Sequence, residues 1–116
     1  MTLNIAMVTI DCDNPRKLAE FWGPALDLAI LGDYGEFVFL GREGGINVGL
    51  QKVPEPRAGK NRIHLDLRGD GETRAAATER LVKLGATVKA EHRQPGIVWT
   101  VLTDPEGNEF CVGEHA

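Results

Sequence analysis

The sequence predicts an α+β fold built from two successive βαβββ modules. Three observations lead there. Both halves order their elements as a strand, a helix and three further strands. Ile10-Asp11-Cys12 corresponds to Leu65-Asp66-Leu67 at an offset of 55 positions, and Leu26 and Ile30 correspond to Leu84 and Val88 at an offset of 58. Apolar residues recur at helical spacing in the helical segments and alternate in the extended ones.

The first strand spans 4–12, with Val8, Ile10 and Cys12 on one face and Met7, Thr9 and Asp11 on the other. Asn14-Pro15 starts a helix: the Asn side chain caps it, and Pro suits a first helical position that needs no N–H. Leu18, Phe21, Trp22 and Ala25 give that helix its apolar face, and Gly23-Pro24 predicts a kink or restart. Three strands follow at 28–32, 36–40 and 46–53, separated by glycine-bearing turns. A polar connector at 54–60 has no hydrophobic period and divides the modules into 1–53 and 61–116.

In the second module, 62–67 is a strand with Ile63, Leu65 and Leu67 on its packed face and Arg62, His64 and Asp66 opposite. A helix over 72–84 places Ala77, Leu81 and Leu84 inward and ends at Gly85, which readily takes a left-handed terminal conformation. Strands at 86–92, 97–103 and 108–113 complete the module. Between the last two, Asp104-Pro105-Glu106-Gly107 has the residue order of a type I turn.

Composition narrows the function. The 116 residues are 42% apolar and 26% charged, enough for one domain with a core and too apolar for disorder. No apolar run approaches the roughly 18 residues of a membrane span. Thirteen Lys+Arg against 17 Asp+Glu give a net charge of −4, so neither a nucleic acid nor a membrane is an expected partner. Met1-Thr2-Leu3-Asn4 lacks the basic-then-apolar pattern of a secretory signal. The expectation is a cytoplasmic protein whose two cysteines, Cys12 and Cys111, stay reduced.

The chain resembles the vicinal oxygen chelate superfamily of glyoxalase and bleomycin-resistance proteins, in its glyoxalase-like branch. The resemblance rests on Ile10-Asp11-Cys12-Asp13-Asn14-Pro15, Leu18-Ala19-Glu20-Phe21-Trp22, Leu50-Gln51, Ile63-His64-Leu65-Asp66-Leu67, Leu84-Gly85-Ala86 and Asp104-Pro105-Glu106-Gly107-Asn108-Glu109-Phe110. It implies that each module curls into half of an open barrel, the two forming a cupped mixed sheet around a cleft for a small molecule. It also implies a divalent metal with one ligand from each of four strands. Those positions fall on Met7 (or Thr9), Gln51, His64 and Cys111, of which only His64 is an unaltered ligand type. With both carboxylates gone, a hard ion loses the anionic charge that holds it. The expectation is no metal tetrad and no cofactor.

His64 is the candidate acid/base residue, since a carboxylate neighbour such as Asp66 suits a His to proton transfer near neutral pH. The alternative is a strand His satisfied by Asp66 without a ligand. Gln51 and Arg62 are expected to orient an oxygenated substrate, with Asp66, Trp99 and Cys111 also lining the site. Asp11 and Asp66 occupy matching places and serve either proton transfer or turn support. Cys12 reads as core, Trp22 as core or a dimer contact, and His92 and His115 as surface. Arg57, Lys60 and Arg62 form a short basic run, a solvated linker or a draw for an acidic ligand. Short strands leave sheet edges that a second copy would cover, so a homodimer is expected. The expected function is binding or transforming a small oxygenated organic molecule; the alternative is non-catalytic sequestration of a drug or metabolite.

Overall fold

A computed structural model describes residues 1–115. They divide into two compact units, the first Met1–Ala58 and the second from Gly59 onward, each a helix packed on its own four-stranded mixed sheet. In the first unit β1 (Val8–Cys12) is followed by α1 (Pro15–Leu26), β2 (Ala29–Asp33), β3 (Phe37–Gly41) and β4 (Val48–Lys52). The second repeats the order with β5 (Leu65–Arg68), α2 (Arg74–Leu84), β6 (Thr87–Gln94), β7 (Ile97–Thr103) and β8 (Glu109–His115). The sheet orders are β1-β4-β3-β2 and β5-β8-β7-β6, with the first pair of each parallel and the rest antiparallel. The internal repeat reaches even the irregularities: the edge ladders shift register between Ile30 and Gly32 and between Val88 and Ala90. Such bulges twist an edge strand away from further pairing.

Burial follows the alternation. In the first unit Val38, Leu40, Val48 and Leu50 face α1, whose Leu18, Phe21 and Trp22 are each 1% exposed. Phe21 and Trp22 meet edge to face at 5.0 Å, so Trp22 is a core residue, as is Cys12. In the second unit Ala77 and Leu81 of α2 are buried, as are Val98, Leu102, Phe110 and Val112 of the sheet.

Four expectations are corrected. Helix α1 runs through Gly23-Pro24 without a restart, because Pro24 sits in the last turn and forfeits one N–H there. Gly23 carries the closing bonds: its carbonyl accepts from the N–H of Asp27, which adopts φ 55°, and from Leu28 at 2.8 Å. β1 begins at Val8, since its partner strand begins at Val48. β5 begins at Leu65, paired to Phe110, which leaves 62–64 ahead of the ladder and Ile63 84% exposed rather than packed. β6 and β8 run longer than expected, because the two-residue Pro95-Gly96 turn (Gly96 φ 82°) keeps Gln94 paired with Ile97, and Ile97 with His115. Among the described residues no helix is long and apolar enough to cross a membrane.

Candidate functional site

The second unit gathers the chemistry. Leu65 and Leu67 turn to the covered face of the sheet, so Asp66 and Arg68 stand on the face turned away from the helix. On β8 the buried Phe110 and Val112 likewise force Cys111 to that open face, in register with Asp66. His64 closes the group: its Nδ1 lies 3.1 Å from Asp66 Oδ1. An ionised carboxylate only accepts, so Nδ1 is the donor of this contact; in a neutral ring that leaves Nε2 as the acceptor. Donor atoms of His64, Asp66 and Cys111 all lie within 4.8 Å of one another. Burial pushes the Cys111 thiol above its ordinary range; the Asp66 carboxylate hydrogen-bonded to it and the Glu109 charge push the same way, against Lys60. Cys111 is thus a protonated thiol at neutral pH and no ready nucleophile. Alkylation of Cys111 by iodoacetamide is expected to need a higher pH than free cysteine, and Asp66→Asn is expected to lower that pH. A rate profile matching free cysteine in the parent protein would contradict this.

Trp99 stands on the same open face, since its neighbours Val98 and Thr100 are buried. Its cross-strand partner His92, read as a plain surface residue, is stacked on it at 5.3 Å with a 31° tilt. The hairpin register counted back from Pro95-Gly96 was the signal available for that pair. Arg62 lies outside β5, exposed and without an ion pair or hydrogen bond among the described residues. The structure therefore does not place it in the row with His64 and Asp66. Lys60 pairs with Glu109 at 3.7 Å, and His115 ends the last strand, exposed.

The open face of the first unit is different in kind. Phe37 and Phe39 project from it, because Val38 and Leu40, which alternate with them, are buried. Gly49 lies beneath: a Cβ there would meet the Phe37 ring at 2.8 Å and Met7 Sδ at 3.0 Å. Gln51 on the same strand is tied by its amide nitrogen to the carbonyls of Glu36 (3.2 Å) and Lys52 (3.1 Å), leaving its side-chain oxygen as the free acceptor. Asp11 is exposed and paired in the ladder with Gln51.

Asp104-Pro105-Glu106-Gly107-Asn108 is architectural. Asp104 is 3% exposed; its Oδ1 accepts from the N–H groups of Glu106 (2.9 Å) and Asn108 (3.0 Å), and its Oδ2 from Asn108 Nδ2 (2.9 Å). Asn108 accepts in turn from Asn61, whose own oxygen takes the Glu109 N–H. This clasp fixes the entry to β8 and hence the placement of Cys111.

The glyoxalase-like domain family matches residues 7–113. The chain belongs to that family. Its fold is that of the vicinal oxygen chelate superfamily, shown also by solved structures of low sequence identity. A glyoxalase/bleomycin resistance protein/dioxygenase family enzyme from Burkholderia phytofirmans superposes with a TM-score of 0.77 at 18% identity, covering 96% of this chain and 98% of that one. The fosfomycin resistance protein FosX from Mesorhizobium loti gives 0.79 at 16%, covering 100% and 95%. A mutant of FosX from Listeria monocytogenes, in complex with Mn(II) and 1S,2S-dihydroxypropylphosphonic acid, gives 0.80 at 16%, covering 97% and 90%. No curated protein matches the chain.

The metal that the superfamily implies does not fit the four expected positions of this glyoxalase-like chain. Met7 offers only a thioether beside Phe37 and Gly49, Gln51 is neutral, and Cys111 stands where a hard ion needs an oxygen. What the second unit does assemble is a mixed nitrogen, oxygen and sulfur group, His64, Asp66 and Cys111, a donor set of the kind that suits a borderline ion such as zinc rather than a hard one.

Proposed function

We propose that this glyoxalase-like protein binds and transforms a small oxygenated organic molecule on the open sheet face of its second module, with His64 as the acid/base group and no hard-metal tetrad. The observation that carries this reading is the 3.1 Å contact between His64 Nδ1 and Asp66. It turns Nδ1 toward the carboxylate, so that in the neutral ring Nε2 is placed to take a proton from a carbon or oxygen acid, then return it. Cys111, protonated, supplies a weak donor beside it, and Asp66 stabilises the imidazolium formed in passing. Proton shuttling next to a carbonyl is the chemistry such a pair performs, so a vicinal dicarbonyl is the substrate to try first.

The test is turnover of a dicarbonyl panel followed by proton NMR, alongside thermal-shift screening against acyl thioesters and glycopeptide-type drugs. His64→Ala is expected to lower turnover about 100-fold or more while a ligand-induced thermal shift persists. Turnover unchanged in His64→Ala sinks the acid/base role. The second reading, sequestration without catalysis, is favoured by the aromatic, apolar face that Phe37, Phe39 and Met7 give the first module. Thermal shifts with a drug and no turnover in the parent protein would select it.

A further inference from the structure

Gly113 has no structural reason to be glycine. Its φ lies outside the left-handed region, and a Cβ built on it would meet its nearest neighbours, Trp99 Cβ and the Val98 carbonyl, at 3.7 and 3.8 Å, an ordinary contact. Glycine within a strand carries a conformational cost and commonly marks a place where another molecule comes close to the backbone. Gly49 in the first module makes the contrast, because there a Cβ would collide with Phe37.

What flanks Gly113 indicates the visitor. The ladder aligns Arg68, Gly113, Trp99 and His92 in one row across four strands. Two strand spacings put the Arg68 and Trp99 backbones about 10 Å apart, with the bare Gly113 backbone as the floor between them. One wall is the Trp99 ring, braced by His92 at 5.3 Å. The other is Arg68, exposed, its side chain with no ion pair or hydrogen bond among the described residues. The adjacent row holds Asp66 and Cys111.

We propose that Gly113 is the floor of a subsite for a planar, ring-bearing carboxylate, its ring against Trp99 and its carboxylate on Arg68. The subsite deepens the proposed function by naming a substrate class, and it rests on the second module's open face being the binding face. A flat ring gains dispersion contact with the indole, and a guanidinium pairs with a carboxylate in two parallel hydrogen bonds. From there a group attached to the ring reaches the row of Asp66 and Cys111, beside His64.

The test is an NMR titration of the full chain with 2-naphthoate, with 2-naphthamide (flat, neutral) and cyclohexanecarboxylate (charged, not flat) as comparisons. The expected result is saturable binding of 2-naphthoate, shifting the Gly113 amide and the Trp99 indole, with both comparisons weaker by about tenfold. Gly113→Val fills the floor and is expected to weaken 2-naphthoate by at least about tenfold at unchanged circular dichroism. Arg68→Gln, on an exposed side chain, is expected to erase the preference for acid over amide. Equal affinity for all three compounds, no binding of 2-naphthoate, or a Gly113→Val variant that binds like the parent would each overturn the subsite. Failure of the two readings is separable. Naphthoate binding without dicarbonyl turnover keeps the subsite and removes the acid/base role, whereas His64-dependent turnover without naphthoate binding does the reverse.

Discussion

Asp104→Ala is expected to lower folding stability by about 2–4 kcal/mol, the largest loss of any single polar truncation in the second module. The carboxylate is 3% exposed and holds two backbone N–H groups and the Asn108 amide. Alanine would strand those donors away from water, and an unsatisfied buried donor costs more than the bond it lost was worth. Asn108 would also lose its anchor, loosening Asn61 and the start of β8. Asp104→Asn is expected to fall between, since its remaining oxygen still accepts from the backbone while its new NH₂ faces the Asn108 amide. Urea unfolding of the three proteins measures this, and the alanine variant should melt about 10 °C lower. A loss below about 0.5 kcal/mol would mean that the turn holds itself and the clasp is incidental.

Arg74→Met is the second. Arg74 opens α2, where a positive charge opposes the helix dipole, so something else must hold it there. Its side chain is 13% exposed, donating to Glu114 (3.0 Å) and Thr100 (2.7 Å) and lying 3.5 Å from Glu91. Methionine keeps the packing but leaves the Thr100 hydroxyl, 3% exposed, without its donor and Glu114 without its cation, while Glu91 keeps Arg93 at 3.4 Å. The expected cost is about 2–3 kcal/mol. Glu114→Gln in the Arg74→Met background should recover part of it, by removing one stranded charge. If the double variant is no more stable than Arg74→Met, the electrostatic account of this position is wrong.

Legibility in the sequence followed the range of the forces involved. Local rules placed the elements: Asn14 caps α1 and accepts from Lys17 at 3.2 Å, and Asp104 through Gly107 close their turn with a 2.9 Å bond. Alternation alone assigned Cys12 to the core. The site was legible in part. His64, Asp66 and Cys111 were each named, but that they share one 4.8 Å cluster depends on the parallel pairing of β5 with β8, whose sequence separation no local pattern measures. Arg62 was misplaced for the same reason: on paper alternation continues back past Leu65, where the ladder with β8 begins. His92 was missed because its partner lies across a hairpin, and Arg74 because a charge at a helix start gives no sign of the carboxylates waiting on other strands.

By itself, then, the sequence determined the α+β class, the duplicated βαβββ order and the packed face of the first strand at Val8, Ile10 and Cys12, because periodicity and turn chemistry act over a few neighbouring residues. Tertiary structure alone decided register. Register is a matter of which distant strands exchange hydrogen bonds and where each ladder stops. It set Asp66 beside Cys111, stacked His92 on Trp99 and laid Gly113 bare between Trp99 and Arg68.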